Sequence, residues 1–134
     1  MAAVGDTPIG IDIEQFQMRS PHFCSRYFHT AERALIGDDA LKVNILWAIK
    51  EAVLKLFGLG LRVSPLDIQI QELGDSHAVI SVHGNVAALF RSNVANFVRI
   101  RYRQVHNYCM AMACWSAHAP PMTSFQLEAF RVAA

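Results

Sequence analysis

The chain has 134 residues, of which 53% are hydrophobic and 17% charged, and its formal net charge is +1. This length is most simply one domain, and the composition excludes a disordered tail. The near-neutral charge gives no electrostatic reason to expect nucleic acid or an acidic membrane surface as a partner. No apolar run reaches the roughly 20 residues that span a bilayer, and the start lacks a signal-peptide pattern. Three cysteines without metal or disulfide spacing predict a cytoplasmic protein with reduced thiols.

The amino-terminal part predicts a strand followed by two short helices. The strand covers residues 7–14, TPIGIDIE. Ser20 before Pro21 predicts the N-cap and first position of a helix. Thr30 is expected to cap a second short helix, which Gly37 ends.

The longest helical pattern covers residues 38–60. Asp38 and Asp39 in its predicted first turn suit the positive end of the helix dipole, and Gly58 and Gly60 end it. Apolar residues cover much of its circumference, which predicts a central, buried helix.

The second half of the chain is dominated by β patterns. Residues 66–73 and 77–84 predict two strands, and residues 85–96 fit either a short helix or a loop. Residues 97–105 alternate, which places their three arginines on one face. Residues 108–116 are apolar on both faces, as expected for a central strand.

These elements predict an α+β fold in which a long central helix packs on a mostly antiparallel sheet. We expect a single domain over residues 1–134. Its core would cover about residues 8–116, and residues 117–134 would form an extension ending in one or two helical turns.

The first strand carries two carboxylates, Asp12 and Glu14, in the sequence GIDIE. Burying a carboxylate costs several kcal/mol unless a positive partner compensates it. Because the two residues are two apart on a strand, both side chains point to one face, and Ile11 and Ile13 are predicted to face the core.

The long helix carries Trp47, Glu51 and Lys55 at steps of four, which keeps them on one face. A simple interpretation is a Glu–Lys pair on a solvated stripe, worth a few tenths of a kcal/mol. The tryptophan and the apolar character of the helix count against it. If Glu51 meets Asp12 and Glu14, a hard divalent cation would relieve their repulsion, and Mg²⁺ is usual where phosphates share its shell.

Three segments together resemble the 4′-phosphopantetheinyl transferases, in that family's order and at similar spacings. They are GIDIE at 10–14, SRYFHTAE at 25–32 and WAIKEAVLKLFGLGL at 47–61. Residues 102–120 also resemble the strand that closes the carboxy-terminal lobe of the surfactin-synthetase-activating type. The likeness therefore runs from about residue 10 to beyond residue 115.

The resemblance implies a reaction with coenzyme A as donor. A serine of an acyl or peptidyl carrier protein attacks the β-phosphate, and 3′,5′-ADP leaves. Matched position by position, Asp12, Glu14 and Glu51 would hold Mg²⁺ against the pyrophosphate of coenzyme A. Lys55 would contact that pyrophosphate, and either Glu51 or Lys55 would take the serine proton.

Three further residues match positions that the family uses around coenzyme A. Trp47 would order this helix face and screen the site. Lys50 would either reach a phosphate or be structural. Arg26 would either bind phosphate or hold Glu32.

The resemblance covers one lobe, whereas the surfactin-activating enzymes place their active site between two. Holo-acyl-carrier-protein synthases assemble single lobes into trimers with shared clefts. We therefore expect a homotrimeric transferase serving fatty acid, polyketide or peptide synthesis. The alternative is a non-catalytic or excised lobe that binds coenzyme A or a carrier protein without efficient turnover.

Overall fold

The computed structural model describes residues 8–116, apart from the side chains of Leu61 and Ser92. This part of the chain forms five strands and four α-helices, joined in places by short 3₁₀ turns. In chain order the elements are β1 (Ile9–Gln15), α1 (Pro21–Tyr27), α2 (Thr30–Ile36), α3 (Lys42–Phe57), β2 (Ile68–Leu73), β3 (His77–Val82), α4 (Gly84–Phe90), β4 (Val98–Val105) and β5 (Tyr108–Trp115). The 3₁₀ turns cover Gly60–Arg62, Pro65–Asp67 and Ser92–Phe97.

The five strands form one sheet in the order β1-β5-β4-β3-β2, and every neighbouring pair is antiparallel. Helix α3 lies across one face of this sheet, mainly against β1 and β5. Eleven of its sixteen residues are buried, so it is the centre of the core. The predicted α+β fold with a central helix on an antiparallel sheet is confirmed.

Strand β1 approaches the backbone of α3 very closely at Gly10. A β carbon at this position would lie 2.6 Å from the amide nitrogen of Leu56 and would overlap the carbonyl of Ala52. Only glycine permits such an approach. Residues 10, 12 and 14 therefore face the helix.

The predicted orientation of β1 is consequently wrong in one respect. Ile11 and Ile13 point away from α3, to the open face of the sheet, and Ile13 is 41% exposed. The side facing the helix is filled by small residues of β5, since Cys109, Ala111 and Ala113 are all fully buried there.

Helix α3 begins later than the sequence pattern predicts. Asp38 and Asp39 precede it, and its first residue is Lys42. The carboxylate of Asp39 accepts a hydrogen bond from the amide of Leu41 at 3.1 Å, and its carbonyl accepts one from Lys42 at 3.0 Å. These bonds form a separate turn before the helix. At the other end, Gly58 caps α3 with φ of 70°, as predicted.

The caps of the two short helices are partly as predicted. The Ser20 hydroxyl accepts a hydrogen bond from the amide of Phe23 at 3.1 Å, which confirms it as the N-cap of α1. The N-cap of α2 is His29 rather than Thr30, and its amide donates to the carboxylate of Glu32 at 2.9 Å.

The remaining patterns fold largely as expected. The segment 85–96, ambiguous in sequence, lies mostly in α4 and in the 3₁₀ turn that follows. Strand β5 lies inside the sheet, yet only one of its faces is buried, and Met112 on the other face is 36% exposed. None of the helices in the described part of the chain is long and apolar enough to span a membrane. The predicted extension lies outside the described residues.

We expect Gly10→Ala to lower the free energy of unfolding by about 3 kcal/mol, at the upper end of what overpacking costs. The added methyl group must push β1 off the backbone of α3. Gln15→Ala, an exposed position on the same strand, is the control and should change stability by less than about 0.5 kcal/mol. Urea unfolding of the two variants measures the difference, and equal stabilities would contradict this packing.

Candidate active site

Asp12 lies at the junction of β1 and α3 and is only 8% exposed. Its Oδ1 atom pairs with the Nζ atom of Lys55 at 2.7 Å. The same ammonium group donates to the carbonyl of Ile11 at 3.1 Å. Lys55 therefore pairs with β1 rather than with its own helix. The Glu51–Lys55 pair that the sequence offered as the simple interpretation is not among the ion pairs of the described residues.

Glu14 has a cationic partner that the sequence did not reveal. A terminal nitrogen of Arg19 lies 3.1 Å from Oε2 of Glu14. The Nε atom of Arg19 donates to Oδ1 of the buried Asn44 at 3.3 Å, and its guanidinium lies 4.7 Å from the ring centre of Phe23. Arg19 sits in the loop after β1, where no residue spacing predicts a contact, so only the structure identifies it.

The three carboxylates of this corner influence one another electrostatically. Burial, followed by a hydrogen bond with Asp12 and the charge of Asp12, raises the pKa of Glu14 to about 7, against the lowering effect of Arg19. Burial and the charge of Asp12 also raise the pKa of Glu51. The positive charge of Lys55 opposes this rise without cancelling it. Glu51 itself adds to the raised pKa of Glu14. Negative charge is therefore in excess here.

The Oδ2 atom of Asp12 is buried and has no hydrogen-bond partner among the described residues. A proton on Glu14 would supply a donor to it, which accords with the raised pKa of Glu14. A metal ion would serve the same atom as a positive partner. The oxygen donors thus suit a hard cation.

The described residues contain no group of three or more histidine, cysteine or acidic side chains arranged to hold a metal ion by themselves. Cys109 lies opposite Glu14 in the sheet. Burial, with the charges of Asp12 and Glu14, raises the pKa of Cys109 to about 11, so its thiol stays protonated and is a poor ligand. A cation bound here would need water or substrate oxygens to complete its shell.

Trp47 lies one turn before Glu51 on α3, within a cluster of aromatic rings from α1. Its ring centre is 5.1 Å from that of Phe23 and 4.9 Å from that of Tyr27. Phe23 is also the ring that Arg19 covers. The cluster therefore fixes α1 and the loop before it next to the acidic corner.

Lys50 lies away from that corner and is fully buried. Its ammonium donates to the carbonyl of Tyr27 at 2.8 Å, to Oε1 of Glu32 at 2.8 Å and to the carbonyl of Pro65 at 3.1 Å. Three acceptors occupy its three hydrogens, so none remains for a phosphate. Of the two roles considered for Lys50, the structure supports the structural one.

The proposed contact between Arg26 and Glu32 is wrong. Glu32 is buried, and besides Lys50 its carboxylate accepts hydrogen bonds from the amides of His29 and Ile70. Arg26 lies on the exposed side of α1, with its guanidinium 5.6 Å from the ring centre of Tyr27. It therefore remains accessible to an anion in solution.

The pKa of Glu14 predicts how stability depends on pH without divalent cations. The folded protein holds this proton up to about pH 7, whereas the unfolded chain releases it near 4.5. Between these values the folded state binds more protons, so the free energy of unfolding falls as pH rises. Thermal unfolding across this window should show a shallower decline in Glu14→Gln than in the wild type. The control Glu72→Gln, at an exposed site on β2, should keep the wild-type slope; an unchanged slope in Glu14→Gln would contradict the assignment.

Comparison with known proteins gives a family and several similar folds. The model of the 4′-phosphopantetheinyl transferase superfamily matches residues 8–113. No curated protein matches the chain. The solved structure of the Helicobacter pylori holo-[acyl-carrier-protein] synthase, a complex with coenzyme A, is 22% identical with a TM-score of 0.62, over 81% of this chain and 99% of that one.

Two further structures are similar. The Thermotoga maritima holo-[acyl-carrier-protein] synthase is 21% identical with a TM-score of 0.65, over 82% of this chain. The match spans 63% of the T. maritima chain. The holo-ACP-synthase from Plasmodium yoelii is 21% identical with a TM-score of 0.59, over 81% of this chain and 93% of that one. Since the family model covers most of the described residues, the chain belongs to the 4′-phosphopantetheinyl transferase superfamily.

Proposed function

We propose that this chain transfers 4′-phosphopantetheine from coenzyme A to a serine of an acyl or peptidyl carrier protein and releases 3′,5′-ADP. The observation that carries the proposal is the unpartnered buried oxygen of Asp12, next to Glu14, Glu51 and the ammonium of Lys55. Acidic side chains that repel one another suit a cation and, with it, a diphosphate. Family membership and the coenzyme A complex of the H. pylori synthase support the same donor.

Asp12, Glu14 and Glu51 are the residues that would hold Mg²⁺. Mg²⁺ usually keeps several waters and binds through one or two carboxylates together with substrate phosphates, so a complete protein cage is not required. When bound, it would neutralise charge on the diphosphate during transfer. Lys55, half-exposed beside Asp12, would contribute a second positive charge toward the same diphosphate.

The transfer requires one bond to form, one to break and one proton to move. The serine oxygen bonds to the β-phosphorus, and the bond from that phosphorus to the bridging oxygen of 3′,5′-ADP breaks. Glu51 takes the serine proton, directly or through a water, and its raised pKa brings it nearer the working pH of a general base. Lys55 is the weaker candidate, because its Nζ atom already donates to the carbonyl of Ile11 and to the carboxylate of Asp12.

The coenzyme A site would extend from Lys55 along α3 to α1. Trp47 would screen the acidic corner from water by packing α1 over this end of the helix. Arg26 is exposed and could bind a phosphate, as its match to the family suggests.

The resemblance suggests a homotrimer, and the open face of the sheet offers a surface for self-association. Several large apolar side chains are exposed on β1, β4 and β5: Ile13 at 41%, Val105 at 38%, Tyr108 at 46% and Met112 at 36%. Exposed apolar patches of this kind mark interaction surfaces in soluble proteins. A second copy would cover this face.

An apo carrier protein incubated with coenzyme A, Mg²⁺ and this protein should gain one phosphopantetheine group, measured by mass spectrometry. EDTA should stop the gain. Glu51→Gln should keep the fold and lower the transfer rate on the order of 10²-fold, the scale of losing one preorganised charged contact.

Glu72→Gln provides the matched control, because Glu72 is exposed on β2 away from the acidic corner. Its rate should equal that of the wild type. If the carrier protein gains no mass even at high protein concentration, the transferase proposal is contradicted. That result would favour a lobe that binds coenzyme A or a carrier protein without turnover. Normal turnover by Glu51→Gln would show that the base and metal site lie elsewhere.

The oligomer has its own test in light scattering. The wild-type protein should have the mass of a trimer, and Ile13→Arg should shift it to the monomer, because a charge on the covered face costs several kcal/mol when desolvated. Arg33→Glu on α2, an exposed position on the other side of the sheet, should leave the mass unchanged. A monomeric wild type would contradict the trimer without bearing on Glu51.

A further inference from the structure

Arg19, in the loop between β1 and α1, is held on three sides. Its Nε atom donates to Oδ1 of Asn44 at 3.3 Å, and a terminal nitrogen donates to Oε2 of Glu14 at 3.1 Å. The guanidinium also lies 4.7 Å from the ring centre of Phe23. Because the group is planar and its donors have fixed directions, these three contacts give it one orientation between β1, α3 and α1.

Asn44 is the fixed end of this connection. It lies in the first turn of α3 and is fully buried. Its amide group donates to the carbonyl of Gln17 at 2.8 Å and to that of Leu41 at 3.3 Å. Arg19 cannot turn away from Asn44 without leaving a buried oxygen unpaired, which costs about 1–3 kcal/mol. Helix α3 therefore fixes the arginine that fixes Glu14.

The contact with Arg19 engages one of the two carboxylate oxygens of Glu14. Arg19 is the one cation that pairs with this carboxylate within residues 8–116, since Lys55 pairs with Asp12. The other oxygen remains for the acidic corner, where Oδ2 of Asp12 also lacks a donor among the described residues. An arginine free to leave would compete with a cation for Glu14. An arginine anchored on Asn44 and Phe23 instead orients the carboxylate, as hydrogen-bond partners of metal ligands commonly do.

We propose that Arg19 is a positioning residue for the cation of the acidic corner, and that it holds Glu14 with one carboxylate oxygen free to bind that cation. The inference rests on the cation site of the proposed function. Arg19 contacts neither the cation nor the reacting atoms and acts through Glu14 alone. Loss of such a partner weakens metal binding by about 10- to 100-fold in other proteins.

Mn²⁺ is the probe, because it takes the same oxygen ligands as Mg²⁺ and its unbound form is counted directly by electron paramagnetic resonance. The wild-type chain should bind it saturably, and Arg19→Gln should raise the dissociation constant by at least about tenfold. Arg19→Lys keeps the charge but lacks the planar fork that reaches Asn44 and Glu14 together. It should therefore recover only part of the affinity.

Arg33→Gln is the matched control. It also removes one positive charge, from an exposed arginine on α2 that donates to the hydroxyl of Thr30. Its affinity for Mn²⁺ should equal that of the wild type. An equal loss in this variant would overturn the inference, because the effect would then be one of general charge. Unchanged or tighter binding by Arg19→Gln, or full affinity in Arg19→Lys, would overturn it as well.

The transfer assay separates positioning from catalysis. In Arg19→Gln the Mg²⁺ concentration at half of the maximal rate should rise by about tenfold, whereas the maximal rate at saturating Mg²⁺ should stay within about threefold of the wild type. A large loss that saturating Mg²⁺ does not restore would overturn the positioning role.

The Mn²⁺ titration needs neither coenzyme A nor a carrier protein, so it decides the role of Arg19 even if the chain transfers nothing. Wild-type binding that Arg19→Gln weakens, without any transfer, would contradict the proposed function alone. Transfer with unchanged binding in Arg19→Gln would contradict this inference alone. A wild type that binds no Mn²⁺ would overturn the cation site and this inference together.

Discussion

The close contact between β1 and α3 at Gly10 determines the arrangement of the candidate site. Because a glycine lets the strand lie against the helix backbone, residues 12 and 14 face α3 rather than the open side of the sheet. Asp12 then meets Lys55, and both carboxylates come within electrostatic reach of Glu51. A larger residue at position 10 would move the carboxylates of β1 away from Glu51 and Lys55 on α3. The close packing of strand and helix is therefore also a requirement of the site's chemistry.

The burial of these carboxylates is tolerated because each one on β1 has a cation. Lys55 forms an ion pair with Asp12, and Arg19 forms one with Glu14. Burial, and after it the negative charge that three carboxylates leave in excess over two cations, keeps the pKa values of Glu14 and Glu51 raised rather than lowered. A divalent cation would reverse that excess and give the site a net positive charge toward a diphosphate.

Much of the fold follows from the sequence, because the periodicity of strands and the caps of helices are local properties. A period of two shows that Asp12 and Glu14 share a face, but it does not show which face meets the helix. Gly10 was the available clue, and its meaning depends on the distance to Ala52, which is a tertiary property. Arg19 illustrates the same limit, since loop residues have no periodicity that predicts their contacts.

The neighbouring residues Lys50 and Glu51 have different roles on the same helix, one structural and one in the candidate site. They are about 100° apart around α3, and the structure places them on different sides of it. Lys50 ties the helix to the end of α1 and to the turn before β2, while its partner Glu32 holds the backbone of Ile70. Removing one member of such a buried pair leaves an uncompensated charge, so this connection resists rotation of the helix. Because the Lys50–Glu32 pair holds α3 on the side away from the acidic corner, the helix presents Glu51 to β1 in one orientation. The buried pair thereby helps to set the geometry of the acidic corner.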